Sequence, residues 1–99
     1  MVVGVLTCDV LLGDVHSLKQ KRGVVRPVVA ELRRRFEVSA AETGDTGVYR
    51  RTEISVSLVA GERAHVVEVL DACERLVAGR PELELLSTRT RVLDDDDLD

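Results

Sequence analysis

A chain of 99 residues with 44% apolar and 32% charged side chains suits one soluble domain whose core needs no metal or disulfide staple. Phe36 and Tyr49 are the only aromatics and Trp is absent, so the core falls to Val, Leu, Ile and Ala, and chemistry built on aromatic platforms is disfavoured. The formal charge of −4 is uneven: the last six residues, DDDDLD, hold five of the 18 acids, and without them the chain would carry one net positive charge.

In chain order, Met1 to Leu12 reads as a strand. Val2, Leu6, Cys8, Val10 and Leu12 share one face, interrupted only by Gly4, and Val3, Val5, Thr7, Asp9 and Leu11 share the other. Gly13 and Asp14 form the turn. Ser17 has the chemistry of an N-cap, with Gln20 placed as in a capping box. Leu18 to Phe36 is the predicted first helix, with Leu18, Val25, Val28, Val29, Leu32 and Phe36 as its apolar stripe. Pro27 lies in its interior and meets the carbonyl of Gly23, which predicts a continuous helix bent there, the alternative being a break near Gly23. Val38 to Ala41 is a short strand and Glu42 to Val48 an exposed loop. Tyr49 to Val59 alternates clearly as a strand. Glu62 to Ala78 is the second helix, facing inward through Val66, Val67, Leu70, Cys73, Leu76 and Val77, with Gly79 as its cap and Pro81 beyond it. Leu83 to Val92 is the last strand. The acidic tail, residues 94–99, is expected to be disordered through like-charge repulsion.

The order β-α-β-β-α-β predicts an α+β, ferredoxin-like domain over residues 1–93, a four-stranded antiparallel sheet with both helices on one face. The other face, lined in its middle by Val3, Val5, Thr7, Ser55 and Ser57, would then be bare. A second copy stacking there or pairing at a sheet edge is the expected assembly, a homodimer. Cys8 and Cys73 are expected as small buried hydrophobes in a reducing, cytoplasmic setting. No leader pattern and no membrane-length apolar run is present, so no membrane partner is expected.

The segment HSLKQKR, residues 16–22, gathers His16, Lys19, Lys21 and Arg22 at a helix start, where the helix dipole disfavours cations. Lys19, Lys21, Arg22, Arg26, Arg33, Arg34 and Arg35 supply half of the 14 Lys and Arg, interrupted by one acid, Glu31. At about 100° per residue, Lys19, Arg22, Arg26 and Arg33 fall on one stripe, apart from the apolar one. A solvated face that aids solubility is the simplest reading. A surface for phosphate groups is the sharper one, and it selects His16, Ser17, Lys19, Lys21, Arg22, Arg26 and Arg33 as candidate anion- or nucleic-acid-binding residues. The free amides of the helix N-terminus around His16 and Ser17 suit a small anion instead, and acyl-phosphate hydrolysis occurs on this fold class. That chemistry needs an amide to orient water. The chain has no Asn and a single Gln, Gln20, so catalysis is not expected. His16 and His65 are isolated, which predicts no metal site and no cofactor. The acidic tail is a candidate competitor for the basic stripe. Base stacking of the kind RNA-recognition motifs perform is not expected, because the two central strands offer only Tyr49, at a strand end.

The stretches VVGVLTCDVLL, HSLKQKR, RRRFEVSAAE and RRTEISVSLVAGERAHVVEVLD together resemble the small bacterial YlxP-like family of uncharacterised proteins, over roughly residues 1–93. The HSLKxKR pattern, met by His16, Ser17, Leu18, Lys19, Lys21 and Arg22, is the most distinctive part. The resemblance implies a ferredoxin-like fold and, because genes of such proteins tend to lie among those for translation and ribosome maturation, a structured-RNA or ribosome partner. It implies no activity and no catalytic residues. A non-enzymatic binding module is therefore the leading expectation; a phosphate-binding protein, or a protein–protein module using the open sheet face, are the alternatives.

Overall fold

Strict two-residue alternation builds the centre of the sheet. In a computed structural model that describes residues 1–99, β1 (Val2–Leu12) buries every even-numbered side chain and half-exposes every odd one. It is followed by α1 (Leu18–Phe36), β2 (Ser39–Thr43), β3 (Arg51–Ala60), α2 (Arg63–Ala78), β4 (Leu83–Leu93) and a short α3 (Asp95–Leu98). All pairings are antiparallel, in the order β2-β3-β1-β4, so β1 and β3 are central. Both long helices pack on one face, α1 towards β2 and α2 over β1, β3 and β4. The expected ferredoxin-like α+β fold is the observed one.

One cluster of 19 buried residues holds sheet and helices together, and none is aromatic. Gly4 is part of how α2 sits on β1. A methyl group there would overlap Val66 Cγ1 and lie 3.0 Å from Leu70 Cδ1 and 3.2 Å from Leu58 Cδ2. The glycine in the apolar row is thus the place where the second helix approaches the strand most closely. Between β1 and β4 the register shifts at Asp9/Val10, leaving Leu86 as an extra residue on β4, 43% exposed.

α1 is unbroken through Pro27. Its N-cap Ser17 accepts the Gln20 N–H at 3.1 Å, and Gln20 Oε1 accepts the His16 N–H at 2.7 Å, one residue earlier than a standard capping box would place it. The helix ends at Glu37, held in the left-handed region at φ 52°, whose N–H donates to Arg33 O. Gly23, opposite the Pro27 ring, borders open space: a Cβ there meets nothing within 4 Å. Gly23→Ala should therefore stabilise the domain by about 0.5–1 kcal/mol, the usual gain from replacing a helix-interior glycine. A higher urea midpoint at unchanged slope is the expected result. A lower midpoint would mean that Gly23 is required to accommodate Pro27.

The tail departs from expectation. Residues 94–99 are not without structure: Asp94 caps α3, accepting the N–H groups of Asp96 and Asp97 while Asp97 accepts the Asp94 N–H. Acids are the preferred side chains in a first helical turn, so the same run that repels itself when extended also favours one turn of helix. Those hydrogen bonds, aided by Arg63, hold the Asp94 carboxyl below the usual carboxylate range. Asp95 accepts from the Met1 ammonium at 3.1 Å. No helix is long and apolar enough to cross a membrane.

Candidate nucleic-acid interface

Helical phase sorts six of the seven basic residues of α1 into three groups, with the exposed Arg34 flanking the first of them. Lys19, Arg22, Arg26 and Arg33 are exposed, and none of them has a carboxylate within 4.0 Å. With about 1.5 Å of rise per residue the row is about 21 Å long. Arg35 belongs to another face, where it lies 3.8 Å from Glu31 and 5.6 Å from the centroid of the Phe36 ring; Glu31 also pairs with Arg80. Lys21 forms the third group.

Lys21 corrects the expected site. It is 1% exposed, the bulkiest fully buried side chain in the protein, and so cannot meet an external anion. Its ammonium lies 3.0 Å from Glu42 Oε2 and donates to the carbonyl oxygens of Val48 at 2.6 Å and Thr46 at 3.1 Å. Buried Thr52 donates its hydroxyl to the same Glu42 oxygen. A buried ammonium is tolerated only when its donors are satisfied, and here all three have acceptors. Lys21 therefore ties the first turn of α1 to β2 and to the loop before β3.

The N-terminus of α1 is similarly occupied. His16 is paired with Asp14, Ser17 Oγ with the Gln20 N–H, and the Gln20 side-chain oxygen with the His16 N–H. An incoming anion would face the Asp14 carboxylate, and the one glutamine is engaged in capping. His16 and Ser17 thus shape the helix start, while Lys19, Arg22, Arg26 and Arg33 form the accessible cationic row. The acidic tail does not cover that row: its one ion pair is made with Met1.

Arg33 differs from its neighbours. Its Nε donates to the Ala40 carbonyl of β2 at 2.8 Å, which anchors the guanidinium of a side chain that is otherwise exposed. Between α1 and this edge strand runs a groove of about 440 Å³, lined by Val25, Val29, Ala30 and the exposed Arg26 and Arg33 from the helix and by Ala41 and Glu42 from the strand. Sequence reading missed the groove because Ala41 reaches it from another element.

On the opposite face of the sheet, Thr43 donates to Glu53 and also shares a hydrogen bond with Ser55. Arg89 donates to Glu53 at 2.8 Å, and Arg51 lies 3.7 Å from Asp9. The apolar end of this face carries Val3, Val59 and Leu93, with Val59 67% exposed. Tyr49 lies outside β3, and neither central strand carries an aromatic side chain. Cys8 and Cys73 are both free and buried. Burial pushes the Cys8 thiol up to about 12, with Glu74 and Cys73 adding to the effect, and the Cys73 thiol up to about 11. Both stay protonated at neutral pH, which removes them as nucleophiles.

The chain is thus a ferredoxin-like α+β domain with an exposed cationic row on its first helix. A family model described as "Protein of unknown function (DUF503)" matches residues 3–90, and the chain belongs to that family. It is similar to "Uncharacterized protein YlxP" of Bacillus subtilis (strain 168), with 28% identity over 89 residues, covering 90% of this chain and 97% of the relative.

Proposed function

We propose that this protein is a non-enzymatic module that binds structured RNA, free or within a ribonucleoprotein, through the phosphate backbone and the exposed row Lys19, Arg22, Arg26 and Arg33. The observation that carries this reading is the absence of any carboxylate within 4.0 Å of these four cations, in a chain with more acids than bases. Unpaired cations on a regular scaffold retain their full attraction for polyanions, and displaced counterions drive the association. The sheet face, which carries no aromatic, supports recognition by shape and phosphate rather than by base stacking across the strands.

Self-association is part of the same proposal. The apolar end of the open sheet face, with Val3, Val59 and Leu93, is the surface offered to a second copy, and α1 lies on the opposite side. A homodimer formed there would leave both cationic rows free.

Charge reversal tests the RNA reading. Arg22→Glu/Arg26→Glu changes two exposed, unpaired side chains, so melting should be nearly unaffected. Affinity for a folded RNA hairpin should fall by on the order of tenfold to a hundredfold. Equal binding by the variant and the unmodified chain, measured by fluorescence anisotropy at low salt, would remove α1 from the interface.

A further inference from the structure

We propose that the groove between α1 and β2 receives an unstacked base, so that the preferred partner is looped or bulged RNA rather than a continuous duplex. This rests on the RNA reading above and adds to it the kind of RNA recognised. The groove, of about 440 Å³, falls within the size range of small-molecule sites, roughly 300–1,000 Å³, and exceeds what a single base fills. Val25 and Val29 give it an apolar floor, and Ala30 keeps it open because its side chain is a single methyl group.

The lining matches a nucleotide. Arg26 and Arg33 stand beside the apolar floor on the same row that would track the phosphates, so a base turned inward would keep its phosphate next to a guanidinium. Arg33 is held by its bond to the Ala40 carbonyl, and a fixed guanidinium plane is a surface on which an unpaired base stacks. The one acid lining the groove, Glu42, is already engaged by the Lys21 ammonium and the Thr52 hydroxyl and so repels an incoming phosphate little. A fully paired duplex has no base free to enter.

Two variants separate this inference from the RNA reading itself. Ala30→Leu fills the groove at an exposed helical position without changing charge. Arg33→Lys keeps the charge and loses the planar, anchored group. Binding is measured with a fully paired RNA duplex and with the same duplex carrying a bulged nucleotide. The unmodified protein should prefer the bulged RNA by on the order of tenfold, the lower end of what one stacked base contributes. Ala30→Leu should lose the preference while keeping the duplex affinity and its salt dependence; Arg33→Lys, which alters a member of the phosphate-binding row, should lose the preference whatever its effect on the duplex. Equal affinity of the unmodified protein for the two RNAs, or a preference that survives both variants, overturns the groove assignment and leaves the RNA reading standing. Absence of salt-dependent binding to either RNA overturns both. An acidic peptide that competes away the bulged RNA no better than the duplex is consistent with a base site; a peptide that binds in the groove when neither RNA does would assign it to a protein partner instead.

Discussion

Lys21→Met should lower the melting temperature by roughly 12–24 °C. Methionine keeps the length and apolar stem of lysine but removes the ammonium that Glu42, Thr46 and Val48 share. Removing one member of a buried ion pair typically costs about 3–5 kcal/mol, because the partner is left charged and unpaired. Glu42 keeps 22% of its side chain in solvent, so the lower end, about 3 kcal/mol, is appropriate here. For a domain of this size each kcal/mol moves the midpoint by roughly 4–8 °C. Pairing the change with Glu42→Gln, which retains an acceptor for Thr52 and removes the orphaned charge, should recover a good part of the loss. A melting temperature for Lys21→Met within a few degrees of the unmodified protein would show that the buried pair contributes nothing net. These effects belong to stability, so RNA affinity of the folded Lys21→Met/Glu42→Gln protein, in which no orphaned carboxylate faces the groove, should be unchanged, which also separates Lys21 from the exposed row.

Gly4→Ala should destabilise the domain by about 1–3 kcal/mol, the usual range for overpacking a filled core, and Gly4→Val should prevent folding. The added methyl group has no free volume, since Val66, Leu70 and Leu58 already crowd the position it would take. Val66 is fully buried and cannot swing away, so α2 must lift from the sheet as a unit. The change in space is specific to one partner. Val66→Ala makes its own cavity and its own cost, yet the Gly4→Ala/Val66→Ala double variant should be more stable than the sum of the two single losses implies, by about 0.5–3 kcal/mol. Additive losses in urea unfolding would indicate that backbone freedom at Gly4, and not contact with α2, is what the glycine provides.

Much of the fold was legible because its periods are clean. The even residues of β1 and the alternation of β3 leave little choice of face, and the two strand–helix–strand halves then admit the ferredoxin-like arrangement with few competitors. The candidate site was legible in part. Lys19, Arg22, Arg26 and Arg33 were recognisable as one stripe from helical spacing, and they lie exposed. Lys21 is basic and adjacent in sequence, which makes it a candidate, but it lies off that stripe: its phase, between those of Val28 and Leu32 on the buried side, points into the core. Its partner Glu42 is on β2, and no periodicity within α1 can announce a carboxylate supplied by another element. Arg33 is a similar case: its anchoring oxygen on Ala40 is a backbone atom, invisible to any reading of side chains. In the tail, repulsion among the acids is opposed by the preference of aspartate for helix N-termini, which Asp94 and Asp97 satisfy together.

The central claim is that four unneutralised cations on α1 meet RNA phosphates. It is tested most directly by the salt dependence of binding to a folded RNA hairpin. With four phosphate contacts, the logarithm of the association constant should fall with the logarithm of salt concentration at a slope of about −3, and the Arg22→Glu/Arg26→Glu variant should fall at about −1 or less steeply. A slope near zero for the unmodified protein, or the same steep slope for both proteins, would contradict the assignment.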